Sequence, residues 1–302
     1  MDFKEKREGN IPYIEISGVE YFDVGKTFDC GQCFRFDKVE NSRHSAEYAG
    51  VAHGRYVSFA SDDGKLYIYN SDMGDFENVW RSFLSVDMDY AEINGDILSY
   101  SSGTVMDEAM EYGSGIRILK QEPYEALISF IVSQNNNIPR IKKIIESMSA
   151  KCGERINLAD GMEKHDSGRS SMSAFPTCQA LLELGESGLA ELKTGFRAKY
   201  IYGAAEMLSN GAIDLSSLEA DADLQTCIDG LCKIKGVGLK VASCAALFGL
   251  GKYDAFPIDV WMKKVAEKYF ADDEQEFSSA RFGKYAGIAQ QYLFYYERYK
   301  NS

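Results

Sequence analysis

Hydrophobic and polar residues alternate through much of the first seventy residues, which indicates β-structure. The clearest case is residues 55–70, where the segments YVSFA and KLYIY flank the turn sequence DDG. Alternation with a period of two on both sides of Asp-Gly predicts a β-hairpin. Residues 13–19 and 44–51 are further strand candidates. The N-terminal region is therefore predicted to form an antiparallel sheet.

Beyond this region the apolar spacing changes to that of helices. Residues 75–86 place their apolar side chains on one helical face, and two later prolines open further apolar stretches, as proline does in the first turn of a helix. A polar stretch at 101–115 separates the two patterns. We therefore predict an α+β fold, with an antiparallel β domain and a flanking helix in residues 1–110 and an α-helical domain in residues 111–302.

The charge differs between these two regions. The 302 residues carry a net charge of −13, which by itself argues against a broadly basic nucleic-acid-binding surface. Residues 1–110 hold 10 Lys/Arg and 21 Asp/Glu, whereas residues 111–302 hold 23 and 25. The acidic excess is thus N-terminal, and the nearly neutral C-terminal region leaves room for a local basic face.

The seven cysteines form an odd set without a disulfide framework, and the polar N-terminus predicts no signal peptide. No apolar run approaches the length of a membrane span. We expect free thiols, no membrane association and a cytoplasmic, nucleoid-associated location. Cys30 and Cys33 have zinc-like spacing, but they lack a second ligand pair, and His44, His53 and His165 are scattered. We expect no metal held by side chains.

The candidate chemistry lies in residues 233–259, KIKGVGLKVASCAALFGLGKYDAFPID. The segment Gly236-Val237-Gly238 predicts a sharp turn that presents backbone N–H groups at a helix N-terminus, where a phosphate is attracted. Lys240 lies in the first helical turn, where a positive charge is disfavoured, so it is a candidate amine nucleophile. Asp259 follows the Phe-Pro-Ile turn at a predicted helix start and is a candidate to face Lys240.

This segment resembles the helix–hairpin–helix Gly/Pro–Asp motif of base-excision DNA glycosylases, and within that superfamily it is most similar to 8-oxoguanine DNA glycosylases. Four further segments resemble the family in the same order: CGQCFRF, IRILKQEPYEALISFIVSQNNNIPRI, GFRAKYI and GIAQQYLF. The resemblance implies a helical glycosylase domain with its hairpin motif at about residues 224–260. It also implies that the damaged nucleotide is flipped out of duplex DNA and that its 8-oxoguanine base, paired opposite cytosine, is excised.

Specific roles follow from the resemblance. Lys240 would attack C1′, expel the oxidised base and form a Schiff base, after which β-elimination would cleave the strand. Asp259 would help to deprotonate the lysine and stabilise positive charge on the sugar. Gly31 would accept a hydrogen bond from N7–H, which guanine lacks. Cys244 lies one helical turn after Lys240 and would stack the base against a phenylalanine. Two residues of the final helix would complete the base pocket: Gln290 at the Watson–Crick edge and Phe294 as that stacking partner.

The resemblance also implies DNA contacts. Asn135 would fill the gap that the flipped base leaves, Arg140 and Arg197 would contact the orphan cytosine, and Phe196 would wedge into the stack. Together with the hairpin residues Gly236, Val237 and Gly238, these residues form the expected DNA-binding set. We expect no organic cofactor, although the hairpin carbonyls of Cys232, Ile234 and Val237 would suit a monovalent cation.

The chain departs from the family at three positions. Phe196 stands where tyrosine is common, Gln134 where serine is common, and Trp261 where a histidine often supports the phosphate. These differences bear on the choice of opposite base and on phosphate binding.

Alternative functions differ in the chemistry that they need. An iron–sulfur glycosylase needs four cysteines after the catalytic aspartate, and no cysteine follows Cys244. An alkyl-base glycosylase of the same superfamily would use Asp259 without the Lys240 nucleophile. A non-catalytic DNA-binding module would use the hairpin alone. A monomer is the simplest expectation for the oligomeric state.

Overall fold

The computed structural model describes residues 1–168, 172–271 and 277–300. Within them, six antiparallel strands form one sheet in the order β1-β2-β6-β5-β4-β3. The bounds of the strands are β1 Asp2–Glu8, β2 Ile11–Ser17, β3 Phe36–Lys38, β4 Ala46–Ala52, β5 Arg55–Asp62 and β6 Lys65–Tyr69.

The predicted hairpin is confirmed as strands β5 and β6. They pair from Ser58↔Tyr69 to Asp62↔Lys65. Asp63 and Gly64 form the turn with φ of 48° and 73°, the left-handed conformation that a two-residue hairpin loop requires at both positions. The turn chemistry therefore sets the register of the central strands.

Strand β1 is not predicted by the sequence pattern. Its residues, DFKEKRE, lack alternation because six of seven are charged. It forms because each residue pairs with β2, from Asp2↔Ser17 to Glu8↔Ile11. Lys6 donates to Glu15 across this pair at 2.8 Å.

One short helix, Val24–Asp29, lies between β2 and β3, and the other helices follow the sheet. The longer ones are α1 Val24–Asp29, α4 Tyr90–Ser101, α5 Val105–Tyr112, α6 Pro123–Ser133, α7 Ile138–Cys152, α8 Cys178–Leu189, α9 Ala198–Ser209, α10 Leu215–Ala220, α11 Leu224–Cys232, α12 Leu239–Phe248, α13 Val260–Tyr269 and α14 Ala286–Tyr299. The predicted helix at 75–86 is a shorter composite of α2 Met73–Asp75, a π-helical turn Phe76–Trp80 and α3 Arg81–Phe83. The α+β class with an N-terminal sheet and a helical domain is confirmed.

Shorter helical turns join some of these elements. The 3₁₀ turns are Met162–His165, Gly195–Arg197, Ser279–Arg281 and Gly283–Tyr285, and Ala190–Thr194 is a π-helical turn. The aromatic-rich sequence of residues 277–299 predicts a single final helix, and this prediction is wrong in its start. Glycine at 283, with φ of 69°, interrupts the segment, and the regular helix begins at Ala286.

The sheet packs on both faces. Phe76, Trp80 and Phe83 cover one face, and the segment that contains Ile156 and Met162 covers the other. Helices α4 and α5 pack into the helical core rather than onto the sheet. The boundary between residues 110 and 111 stays a prediction, and it falls within α5, which together with α4 belongs to the helical core.

The buried Arg117 ties the sheet region to the helices. Its guanidinium donates to four backbone carbonyls, including those of Glu20 and Ser85 at 2.7 Å each, and lies over the Tyr90 ring. A buried charge is tolerated when its hydrogen bonds are satisfied. This arrangement fixes the segment 116–121, which runs beside the loop that carries Gly31.

Candidate active site

Helices α11 and α12 form the helix–hairpin–helix, with residues 233–238 as the hairpin. Gly236 has φ of 89°, and a β-carbon there would lie 2.3 Å from Cγ of Tyr200. Only glycine fits this position, because both the backbone conformation and the neighbouring ring exclude a side chain. Gly238 starts α12 in an extended conformation, so the predicted turn and helix start are both confirmed.

Gly236→Ala is expected to destabilise the protein by about 3 kcal/mol, because it combines a left-handed alanine with overpacking against Tyr200. Urea unfolding would measure this. Gly238→Ala is the matched control: its φ is −99° and nothing lies within 4 Å of an added β-carbon. Equal stability of the two variants would contradict the assigned hairpin packing.

Lys240 lies in the first turn of α12, half-buried. Its Nζ donates to Ser133 Oγ at 3.3 Å and lies 5.3 Å from the centroid of the Phe130 ring. Ser133 Oγ in turn donates to the carbonyl of Phe130 at 2.8 Å, so its oxygen is oriented to accept from the lysine. The sequence pattern does not single out Ser133, although it directly precedes the Asn-rich loop of residues 134–137.

Asp259 is the N-cap of α13. Its Oδ1 accepts from the N–H groups of Trp261 and Met262 at 2.9 and 3.0 Å. The cap holds the carboxylate in one orientation at the positive end of the helix dipole. Among the described residues no direct ion pair joins Asp259 to Lys240.

Cys244 links the two charged residues. Burial raises the pKa of its thiol, Lys240 lowers it in part, and the charge of Asp259 raises it further. Both charged groups therefore lie close enough to act on one buried sulfur, and the thiol stays neutral. The prediction that Lys240 and Cys244 share a helix face is confirmed.

Three of the predicted base-pocket residues lie together. Gly31 has φ of 79°, and a β-carbon there would lie 3.6 Å from Cε1 of Phe294 and 3.1 Å from Cδ1 of Ile138. Gln290 lies one turn before Phe294 and is 4% exposed, and its Oε1 has no hydrogen-bond partner among the residues that the structure describes. A buried acceptor without a donor is rare in folded proteins, so it marks a place for a polar ligand. Arg298, which the sequence did not single out, lies over the Phe294 ring at 5.7 Å.

The Asn-rich loop adopts a strained conformation at its tip. Asn135 is exposed with φ of 46°. Arg197 lies beneath it, where its guanidinium donates to the carbonyl of Asn135 at 3.0 Å and to those of Gln134 and Thr194. A non-glycine residue in this conformation persists only when its surroundings hold it.

The structure places Arg197 differently from the expected surface position. The side chain is 3% exposed, and burial, then the charge of nearby Arg140, lowers its pKa. Its donors are used by the loop carbonyls, so contact with an orphan base would require these bonds to break. Arg140 is exposed at the start of α7, and Phe196 is 48% exposed beside Tyr200. Both side chains can therefore reach outward, as can Asn135.

An apolar rim surrounds the catalytic candidates. Leu239, directly before Lys240, is 71% exposed. Val260, directly after Asp259, is 67% exposed, and Ile258 is also exposed. Large aliphatic side chains in such positions are characteristic of a surface that a partner covers. The rim and Phe196 therefore mark the face on which a ligand would lie.

A cavity of about 570 Å³ lies elsewhere, in the sheet region. Carboxylates such as Glu8 and Glu47 line it beside Arg43 and His165. Nδ1 of His165 pairs with Oε1 of Glu47 at 2.6 Å. The chemistry of the hairpin, rather than cavity size, therefore decides the site.

The residues that the structure describes contain no group of three or more His, Cys, Asp or Glu side chains arranged to hold a metal ion. Over the same residues, the apolar helices are too short to cross a bilayer.

Two family models divide the sequence. Residues 14–127 match the 8-oxoguanine DNA glycosylase N-terminal domain, and residues 128–282 match the HhH-GPD superfamily of base excision DNA repair proteins. The N-glycosylase/DNA lyase OGG1 of Arabidopsis thaliana is 31% identical over 290 residues, which cover 89% of this chain and 75% of the plant protein. The chain belongs to the 8-oxoguanine DNA glycosylase family.

Solved structures agree with this family. This glycosylase superposes on the Clostridium acetobutylicum 8-oxoguanine glycosylase/lyase bound to duplex DNA with cytosine opposite 8-oxoguanine, with a TM-score of 0.88 and 35% identity over 100% of this chain and 99% of the bacterial one. The 3-methyladenine DNA glycosylase of Archaeoglobus fulgidus has a TM-score of 0.69 at 19% identity, over 95% and 99% of the two chains. That second likeness concerns the fold alone.

Proposed function

We propose that this glycosylase excises 8-oxoguanine opposite cytosine from duplex DNA and then cleaves the strand as an AP lyase. The observation that carries the proposal is the position of Cys244. Cys244 lies one turn after Lys240 on α12 and is buried, and Lys240 and Asp259 shift the pKa of its thiol in opposite directions. The predicted pocket wall formed by Gly31 and Phe294 completes the constellation.

The proposed chemistry uses the amine of Lys240 as the nucleophile. Neutral Nζ attacks C1′ of the flipped nucleotide, the C1′–N9 bond breaks, and the oxidised base leaves with the bonding electrons and takes up a proton. The sugar ring opens to a Schiff base between Nζ and C1′. Loss of a C2′ proton then expels the 3′ phosphate by β-elimination, and hydrolysis of the imine releases Lys240.

Asp259 stabilises the positive charge that develops on the sugar as the base departs. Its carboxylate is preorganised by the cap of α13, so no reorganisation is required when the charge appears. Ser133 holds the resting amine 3.3 Å away, on the side of Phe130. The lysine thus has a defined position before substrate binds.

DNA contacts are proposed for two parts of the surface. The N–H groups of Gly236, Val237 and Gly238 lie at the N-terminus of α12, where backbone donors attract a phosphate. Asn135, Arg140 and Phe196 would enter the duplex at the flipped nucleotide. Arg197 supports the Asn-rich loop through the carbonyls of Gln134 and Asn135 that it binds. Its contact with the orphan cytosine remains part of the proposal and requires the loop to move.

The function is tested with duplexes that carry 8-oxoguanine opposite each of the four bases, undamaged guanine, or an alkylated purine. We expect excision and strand cleavage of the 8-oxoguanine duplex, most rapidly opposite cytosine. Release of the alkylated base without a covalent intermediate would favour the alkyl-base alternative. Tight binding of lesion DNA without turnover would favour a DNA-binding module.

We further propose a monovalent cation at the hairpin. Among the described residues no backbone donor reaches the carbonyls of Cys232 and Val237, and the Ile234 carbonyl accepts only one bond, from Val237 N–H. Carbonyl oxygens with free lone pairs suit such a hard ion. DNA binding is expected to be stronger in potassium or sodium than in lithium at equal ionic strength, as measured by fluorescence anisotropy; equal affinity would count against the ion.

A monomer in the cytoplasm, associated with the nucleoid, remains our proposal for the state of the protein. The seven cysteines are free in the structure, which suits a reducing compartment. Sedimentation equilibrium and fluorescence localisation would test the two parts. A stable dimer or an exported protein would contradict them.

A further inference from the structure

The turn that carries Gly31 is held by hydrogen bonds to both neighbouring carbonyls. Gln291 Nε2 donates to the carbonyl of Cys30 at 2.7 Å, and Gln121 Nε2 donates to the carbonyl of Gln32 at 2.7 Å. All three glutamines are buried. The Cys30–Gly31 and Gln32–Cys33 peptide groups, which flank the peptide that carries the Gly31 carbonyl, are therefore fixed from opposite elements, α14 and the segment that leads into α6.

The side chain of Gln32 holds the turn from a third direction. Its Nε2 donates to the carbonyls of Thr27 and Arg117 at 2.8 Å each, and its Oε1 accepts from Leu119 N–H at 2.8 Å. Each of these groups is a main-chain atom of a packed element. A fully satisfied buried amide network of this kind holds one conformation, because leaving any member unpaired is costly.

The carbonyl of Gly31 differs from its neighbours. Across residues 1–168, 172–271 and 277–300, no donor reaches it. Gly31 is half-buried, and its φ of 79° lies in the left-handed region, which residues with a side chain rarely adopt. The surrounding network thus leaves one acceptor open at the wall that Phe294 lines.

We propose that Gln32, Gln121 and Gln291 are positioning residues that aim the Gly31 carbonyl at the oxidised base and so determine its discrimination from guanine. The inference rests on the proposed function. Gln291 carries most weight because it neighbours Gln290 on α14, so one helix places both the edge-reading amide and the tether of the Gly31 turn. A hydrogen-bonding site discriminates strongly only when its acceptor cannot relax toward the wrong substrate.

The test is Gln291→Met, which keeps a side chain of similar length but removes the donor. Excision of 8-oxoguanine under single turnover is expected to fall about 10- to 100-fold, as expected for a reacting group displaced by a fraction of an ångström to one ångström. The preference for 8-oxoguanine over guanine falls with it. β-Elimination at a preformed abasic site does not use the base pocket. Its rate is therefore expected to stay within about twofold of the original, because the groups that react there are not displaced.

Gln121→Met is a second variant on the opposite side of the turn and is expected to show the same split. Tyr299→Phe is the matched control, since it removes a bond from α14 to the Asp29 carbonyl, two residues before Gly31, at 2.9 Å. It is expected to change neither activity.

Three outcomes would overturn the inference: unchanged excision in both glutamine variants, equal loss of excision and abasic-site cleavage, or an equal effect of Tyr299→Phe. Failure of the proposed function is distinguishable from these, because the unsubstituted protein itself would then leave the lesion in place.

Discussion

Lys240→Gln is expected to abolish covalent trapping by borohydride of a duplex that contains 8-oxoguanine. Borohydride reduces a Schiff base between Nζ and C1′ to a stable amine, and glutamine cannot form that bond. Excision itself should fall at least ~100-fold, since the nucleophile and a preorganised charge are both lost. Denaturing gel electrophoresis of the cross-linked complex measures the first effect, and single-turnover base release measures the second.

Lys268→Gln is a suitable control for this experiment. Lys268 lies on α13 and pairs with Glu297 at the surface, away from the hairpin. The control is expected to trap as efficiently as the unsubstituted protein. Trapping that persists in Lys240→Gln would assign the nucleophile to another residue.

Asp259→Asn is expected to bind lesion DNA with unchanged affinity but to excise the base at least ~100-fold more slowly. Asparagine is as good an N-cap as aspartate, so α13 keeps the bonds from the N–H groups of Trp261 and Met262. Only the negative charge is removed. The variant therefore separates the electrostatic role from the structural one, which alanine would not do.

Fluorescence anisotropy and single-turnover excision together measure the two effects. Asp214→Asn makes the same change at another N-cap, where Oδ1 accepts from Ser216 and Ser217 N–H groups at the start of α10. This control should retain full activity. If Asp259→Asn excised the base normally, the carboxylate would have no part in the mechanism.

The local parts of the site could be predicted from the sequence. Lys240 and Cys244 are four residues apart, so one helix brings them to the same face. Asp259 follows a proline turn, which predicts a helix start at this position, and the structure shows it as the N-cap of α13. The shared position of Gly31 and Phe294 in the base pocket could be predicted only from the family resemblance, because no local pattern relates two residues so distant in sequence.

The tertiary parts of the site could not be predicted. The bond from Gln291 to Cys30 joins residues 261 positions apart, and no periodicity carries that information. The family resemblance predicts that Arg197 contacts the orphan cytosine, yet in the structure its guanidinium is buried and donates to the loop carbonyls. Ser133 and Arg298 have common residue types whose roles depend wholly on the packed neighbours.

Each of the two edge strands of the sheet has a property that affects how the protein behaves at high concentration. Strand β1 is charged at six of seven positions, and β3 at the other end has three residues. Unpaired N–H and C=O groups along an outer strand otherwise recruit strands from other molecules, and charge or brevity discourages such recruitment. Crowded copies of this chain are thereby protected from strand-by-strand aggregation at either margin of the sheet.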